Sequence, residues 1–137
     1  MAAITAHERT LTPIDHARLS RLVSRRAAEP NAVLLGDLLL ASNLVDSPCV
    51  APDVVTMHSQ VLVASQPGGV PTKYTLCYPD DAVPAAGAIS VLAPIGTALL
   101  GLRAGDVARW TAPGGEPHEL RVVDVPYQPE AAGEYTR

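Results

Sequence analysis

The sequence is poor in aromatic residues: its 137 residues contain no phenylalanine, one tryptophan and four tyrosines. It has only two cysteines, Cys49 and Cys77, and they lack the C-x-x-C spacing of a zinc site or a redox pair. Such separate cysteines are typical of reduced thiols in a cytoplasmic protein. No apolar run reaches the ~20 residues of a membrane helix, and the N-terminus lacks the features of a secretory signal. We therefore expect a cytoplasmic protein that does not associate with membranes.

An excess of basic charge is missing as well. Residues 1–46 contain five arginines and five acids, whereas residues 47–137 contain five basic residues and nine acids, so the net charge of −4 belongs to the second part. Proteins that bind nucleic acid directly usually present a basic face that replaces phosphate counterions. We therefore expect a protein partner and no direct sequence-specific binding of nucleic acid.

The first third of the chain predicts a helical hairpin. Thr12 as a cap, Pro13 at the first helical position and Asp15 in the first turn start a helix that should reach about residue 28. Asn31 is a suitable cap for a second helix to about residue 45. Two helices with so short a connection pack antiparallel, here as a short coiled coil. Four leucines of the second helix share the face expected to meet the first: Leu34, Leu35, Leu38 and Leu39.

The first predicted helix also carries a basic stripe, in which Arg18, Arg21 and Arg25 follow one another at steps of three and four residues. Residues so spaced lie on one side of a helix. The stripe can be a solvated face or an electrostatic contact with a partner, and the sequence leaves both open.

The remainder of the chain predicts a β-rich domain. Pro48 and Pro52 interrupt all periodicity, so we divide the chain into a hairpin at residues 1–46 and a second domain at residues 53–137. Strands are predicted at about 54–65, 73–78, 89–93, 106–112 and 118–126, with glycine-containing hairpin turns at 67–69 and 113–115. Residues 79–87 form a proline-containing connection that should lie on the surface.

The segment at residues 89–106 organises this domain. A β-branched strand ends at Pro94, which fits the first turn of a helix, so residues 95–100 predict a short helix. Gly101 ends that helix, and Gly105 with Asp106 forms a turn into the next strand.

This order of elements resembles the C-terminal domain of the bacterial Gre transcript-cleavage factors. The residues that match are Pro94, Ile95, Gly96, Ala98, Leu99, Leu100, Gly101, Gly105 and Asp106. Together with residues 54–57 and 127–133, they resemble the Rnk branch, the regulators of nucleoside diphosphate kinase. The resemblance implies an α+β fold, with an N-terminal antiparallel helical hairpin followed by an FKBP-like antiparallel β-sheet domain with one short helix.

The resemblance also implies a function. Gre factors dock this domain on RNA polymerase near its secondary channel, and an acidic pair at the hairpin tip helps to hold a catalytic magnesium ion. The docking segment corresponds here to Ala93, Pro94, Ile95 and Gly96, although Gre factors often have serine where this chain has Ala93. We also include the arginine stripe among the partner-binding residues.

The hairpin tip departs from the Gre pattern. Glu29 is the only acid between the arms, and Asp37, eight residues later, would lie about 10 Å away along the second helix. Carboxylates so far apart cannot share one magnesium ion, whose ligands lie at about 2.1 Å. We therefore expect a regulator of the Rnk type that competes with Gre factors for polymerase without stimulating RNA cleavage.

No other pattern in the sequence indicates catalysis. The four histidines are scattered, and His58 and Ser59, predicted as neighbours on one strand, would point to opposite faces. Asp80 and Asp81 fit a solvated loop better than a cation site. We expect no enzyme activity, metal, cofactor or small-molecule substrate. The alternative is an FKBP-like prolyl isomerase or chaperone-like binding domain. The shortage of aromatic residues for a proline pocket disfavours it, and a proline-peptide isomerisation assay would distinguish the two.

Overall fold

A computed structural model describes residues 8–65, 69–112 and 114–134 of the chain. Within these residues it contains three α-helices, α1 (Pro13–Arg25), α2 (Pro30–Ala41) and α3 (Pro94–Leu99). The strands are β1 (Thr10–Leu11), β2 (Asn43–Leu44), β3 (Gln60–Ala64), β4 (Thr72–Cys77), β5 (Ala88–Ser90), β6 (Val107–Thr111) and β7 (Pro117–Tyr127). None of the described helices is long and apolar enough to cross a bilayer.

The helical hairpin starts as the sequence predicts. The Thr12 hydroxyl accepts a hydrogen bond from the backbone N–H of Asp15 at 3.1 Å, which satisfies one of the free donors of the first turn. The short strands β1 and β2, which flank the hairpin, pair in parallel with Thr10 opposite Asn43. The N–H of Thr10 also donates to the carbonyl of Gly101 at 3.0 Å, so the base of the hairpin is bonded to the end of α3.

The helices differ from the prediction in their ends. The first ends at Arg25, about three residues early, because the backbone leaves helical geometry at Arg26, with φ −117° and ψ 26°. The second begins at Pro30 and ends at Ala41, because the following residues pair as β2 with β1. Asn31 lies inside the helix and is not its cap. Of the four leucines predicted to face the first helix, Leu34 is 45% exposed, and the other three are buried.

The described residues of the second part form a five-stranded sheet in the order β5-β4-β3-β7-β6. All neighbours are antiparallel except β4 and β5, which are parallel and are joined by the mostly exposed residues 79–87. The turn after β6 forms at Gly114 and Gly115, as predicted. Pro67, Gly68 and Pro113, which belong to the predicted turns, lie outside the described residues. The α+β class, with an N-terminal helical hairpin followed by this sheet and one short helix, is confirmed.

The prediction of a strand over residues 54–65 is wrong in its first half, since β3 begins only at Gln60. The N–H of Thr56 donates to the Ser59 hydroxyl at 2.9 Å, and the N–H of Ser59 donates back to the carbonyl of Thr56 at 3.1 Å. These bonds close a turn in which His58 has a φ of 68°. His58 and Ser59 therefore do not lie on one strand, and the alternation argument did not apply to them.

One hydrophobic cluster joins both parts of the molecule. It includes Leu19 and Leu22 of α1, Leu35 of α2, and sheet residues such as Val61 and Leu76, each at most 5% exposed. The division into two domains at residues 46–53 stays a prediction, and the described residues of the two parts pack against one another. The hairpin thus lies on the sheet domain.

Candidate partner-binding surfaces

The junction between β5 and α3 is a tight turn that hydrogen bonds hold in place. The N–H of Ala93 donates to the Ser90 carbonyl at 3.0 Å, and the hydroxyl of Thr97 donates to the Val91 carbonyl at 2.6 Å. Helix α3 therefore folds back against the strand that precedes it. A Cβ atom at Gly96 would lie 2.0 Å from the Ser90 carbonyl oxygen, so only glycine fits there.

The predicted docking residues differ in their exposure. Ala93, Pro94 and Ile95 are partly exposed, whereas Gly96 is buried. The first three residues can contact a partner, but Gly96 has no side chain and almost no surface to offer. Its place in the motif follows from the close packing of α3 on the strand.

The hairpin tip lies beside this junction. The side-chain amide of Asn31 donates to the Leu92 carbonyl at 2.7 Å, and a cleft of about 350 Å³ is lined by Glu29, Pro30, Asn31, Pro94 and Thr111. The tip and the predicted docking segment are therefore parts of one surface. No local pattern indicated this contact, because Asn31 was interpreted as a helix cap.

The arginine stripe of α1 extends to the hairpin tip, where the helix ends at Arg25. Arg18, Arg21 and Arg25, together with Arg26, line a cleft of about 470 Å³. The opposite wall includes Tyr78, Asp80 and Asp81 from the connection after β4. The stripe is therefore neither a plain solvated face nor a purely basic one, because two acids face it across the cleft.

The only acid of the tip is paired. Glu29 accepts a hydrogen bond from Nη1 of Arg26 at 3.2 Å, and both side chains are substantially exposed. In the parts of the chain that the structure describes, no three histidines, cysteines or acids are grouped as a metal site. Solvent screening makes an exposed ion pair weak, but the arginine still places positive charge where a cation would have to bind.

A buried polar network connects α1 with the segment before β3 and with the chain after β7, and the sequence did not reveal it. Thr56 donates its hydroxyl to Oε1 of Glu130 at 2.7 Å, and the hydroxyls of Thr56 and Ser59 lie 2.8 Å apart. Oδ2 of Asp15 accepts the N–H of Met57 at 3.2 Å. These side chains are at most 8% exposed, so the network supports the fold and is closed to a substrate.

Burial raises the pKa of Asp15 to about 7, and the nearby charge of Glu130 adds to the increase. The hydrogen bond from Met57 and the charge of Arg18 act in the opposite direction. Burial dominates because the carboxylate loses most of its hydration when the hairpin packs on the sheet.

The remaining residues considered from sequence fall outside these surfaces. The His58 ring packs against Tyr78 with a centroid distance of 5.6 Å, and the half-buried Trp110 stacks on His118 at 5.5 Å. The two cysteines are free thiols, Cys49 exposed and Cys77 buried.

The fold and this junction define a class of protein. Residues 50–127 match the family model described as "Transcription elongation factor, GreA/GreB, C-term", and the chain belongs to this family. Among solved structures, the chain is similar to a prokaryotic transcription elongation factor GreA/GreB from Nitrosomonas europaea. The TM-score is 0.74 and the identity 35%, over 88% of this chain and 99% of the other.

Two curated relatives show more specifically which proteins the chain is similar to. The chain is 47% identical over 83 residues to the "Regulator of nucleoside diphosphate kinase" of Escherichia coli strain K12. That match covers 61% of this chain and 61% of the relative's length. The chain is also 38% identical over 74 residues to the transcription elongation factor GreA of Solidesulfovibrio magneticus, which covers 54% of this chain and 45% of that protein. The resemblance to the regulators of nucleoside diphosphate kinase is thus confirmed.

Proposed function

We propose that this protein is a non-catalytic transcription regulator of the cytoplasm that binds RNA polymerase near its secondary channel. It competes there with Gre factors and does not stimulate RNA cleavage. As the name of the Escherichia coli relative suggests, it also regulates nucleoside diphosphate kinase.

The observation that carries this proposal is the position of the hairpin tip. Asn31 binds the Leu92 carbonyl, so the tip rests on the sheet domain and does not project from it. A factor that delivers acids into a channel needs a projecting tip with at least two carboxylates. Here the tip has Glu29 alone, bonded to Arg26. The protein can thus occupy a docking site without organising a magnesium ion.

The docking surface in this proposal combines the junction with the tip. Ala93, Pro94 and Ile95 supply a small apolar contact next to Pro30 and Asn31. The arginine stripe provides a second contact, to an acidic segment of the polymerase, which would compete with Asp80 and Asp81 for the arginines. Charge of this kind mainly increases the association rate and makes binding sensitive to salt.

The experiment is a cleavage assay on a backtracked elongation complex. The protein alone should leave the 3′ end of the RNA uncut, and it should slow cleavage by a Gre factor as the two concentrations become comparable. Because the proposed contact includes Ile95, the Ile95→Asp variant should lose this inhibition. A carboxylate there would be buried against an apolar partner without a counter-charge.

The matched control is Val70→Asp, which places the same charge at a residue that is 91% exposed and distant in sequence from the junction. This variant should inhibit as the unchanged protein does, and both variants should be checked by thermal unfolding. RNA cleavage by the protein alone would overturn the non-catalytic part of the proposal. Full inhibition by a folded Ile95→Asp variant would overturn the docking surface.

A further inference from the structure

A third cleft, of about 230 Å³, lies between the hairpin and the sheet domain, at the junction of α2, α3 and β6. Its wall is largely apolar and is contributed by all three elements. Its lining residues include Leu34, Leu38, Ala98, Trp110, Thr111 and Arg9. Among them, Leu34 is 45% exposed, so its side chain can contact a ligand in the cleft.

Arg9 is the only charged residue that lines this cleft within the described part of the chain, and it is only 8% exposed. Its Nη1 donates to the carbonyls of Thr97, Ala98 and Leu100 at 3.3, 3.1 and 2.8 Å. These acceptors belong to the last turn of α3 and the residue after it, whose free carbonyls favour a cation. This bonding explains why the guanidinium lies here.

The same bonding leaves Arg9 incompletely satisfied. Its buried Nε–H has no hydrogen-bond partner among the described residues, although a guanidinium offers five N–H donors in a fixed planar arrangement. Every acceptor of Nη1 is a neutral carbonyl. Burial lowers the pKa of Arg9 to about 10, while the charge of Asp106 has the opposite effect, so the group is still a cation at neutral pH. Arg9 is therefore a cation in the wall of an open apolar cleft, and its charge favours an anionic ligand, which could accept the unused but buried Nε–H after a small movement of the side chain.

We propose that this cleft binds a small carboxylate with a flat apolar body, such as an aryl acid. The carboxylate would pair with Arg9, and the body would lie between Leu34 and Trp110. At ~30 Å³ for each water molecule, the cleft has room for about eight waters, and so for a ligand of about ten non-hydrogen atoms. This is below the size of a typical drug pocket.

This inference does not rest on the proposed function, and its test uses no polymerase. Trp110 is the only tryptophan of the chain, so its fluorescence reports on the wall of the cleft. Titration with phenylacetate at neutral pH should change the emission in a saturable way, with a Kd of about 0.1 to 1 mM for so small a ligand. Phenylacetamide, which has the same shape without the charge, should bind about tenfold more weakly or worse.

Two substitutions of Thr111 test the location. This exposed residue lines the cleft beside Trp110, so Thr111→Phe should fill the space and abolish the response to phenylacetate. The control is Thr111→Val, a branched side chain of nearly the same volume that suits a strand, and it should keep the response. In the unchanged protein, amide resonances of Leu38 and Ala98 should shift on binding. Arg9→Lys keeps the charge but loses the planar donors, and should weaken binding if it folds.

The result that supports the inference is saturable binding of phenylacetate that needs the carboxylate and is blocked by Thr111→Phe alone. Equal binding of the acid and the amide would overturn it, because Arg9 would then play no part. Absence of any saturable response in the folded, unchanged protein would overturn it as well. Retention of binding in a folded Thr111→Phe variant would show that the ligand binds elsewhere.

Discussion

Asp15 shows how a single residue couples the hairpin to the sheet. Its backbone N–H takes part in the cap of α1, and its side chain accepts the N–H of Met57 at 3.2 Å in the turn before β3. The contact buries a carboxylate to 4% exposure, near the second buried acid, Glu130. The hydrogen bond across the interface therefore requires that the Asp15 carboxylate lose its hydration, which is unfavourable for its charged form.

This arrangement predicts that stability depends on pH through Asp15. Its pKa is about 7 in the folded protein and 3.8 as the reference for an unfolded chain, so the folded state binds the extra proton between these values. The contribution is thus fully present at low pH and is lost as the pH rises through 7. At ~1.4 kcal/mol per unit of pKa, the free energy of unfolding should fall by up to about 4 kcal/mol between pH 4 and pH 8.

The measurement is chemical denaturation at several pH values, with Asp15→Asn as the test. Asparagine can still accept the N–H of Met57 but does not ionise, so the variant should match the unchanged protein below about pH 4 and exceed its stability by a growing margin as the pH rises to 8. The exposed Asp37→Asn on α2 is the control and should keep the original dependence. Parallel curves for Asp15→Asn and the unchanged protein would refute the assignment.

At the scale of elements, the junction between β5 and α3 decides how the molecule is arranged. Helix α3 turns back on the strand before it, so the Gly96 backbone lies against Ser90 and Val91. The turn exposes Ala93, Pro94 and Ile95 beside the hairpin tip. The same residues that satisfy the geometry of the turn thus form the proposed docking surface.

We predict that Gly96→Ala is strongly destabilising. The added methyl group would lie 2.0 Å from the Ser90 oxygen and 3.0 Å from the Val91 Cα, and both are backbone atoms that cannot rotate away. The loss should be about 2 to 4 kcal/mol. The control is Gly114→Ala, where a Cβ would meet nothing within 4 Å and the change should be within about 0.5 kcal/mol. Thermal or chemical unfolding measures both, and equal stability of the two variants would contradict the close packing.

The sequence predicted this junction well, because proline and glycine have strong local preferences there. Pro94, predicted to occupy the first turn of a helix, is its first residue, and Gly101 follows the helix with a φ of 80°. Local preference failed where side chains, some of them distant in sequence, form hydrogen bonds that replace those of the predicted element. Residues 56–59 have β-branched neighbours that favour a strand, yet the Ser59 hydroxyl and the Asp15 carboxylate bind their N–H groups. Asn31 likewise bonds Leu92, 61 residues away, which no local pattern could indicate.

At the scale of the whole molecule, the hairpin acts as a layer of the core. Leu19, Leu35 and Leu39 belong to the same cluster as the sheet residues Val61 and Leu76. Polar contacts reinforce this packing at the base through Arg9 and Asp15, and at the tip through Asn31. A hairpin held at both ends cannot leave the sheet without breaking these bonds and exposing apolar surface to water.

This architecture gives a prediction for the boundary at residues 46–53, which contains Pro48 and Pro52 and the exposed Cys49. If the two parts were independent domains, a fragment of residues 53–137 would keep the thermal midpoint of the full chain. Because the cluster is shared, we expect the full chain to unfold in one transition and the fragment alone to melt at a markedly lower temperature. Leaving several core leucines without partners costs about 2 to 5 kcal/mol for each side chain removed, and the sum exceeds the stability of most small domains.

Adding a peptide of residues 1–46 should restore the midpoint in a concentration-dependent manner, since it binds the folded fragment and not the unfolded one. A fragment that melts with the full chain would instead establish the two-domain division, and would mean that the contacts of Arg9, Asp15 and Asn31 add little to stability.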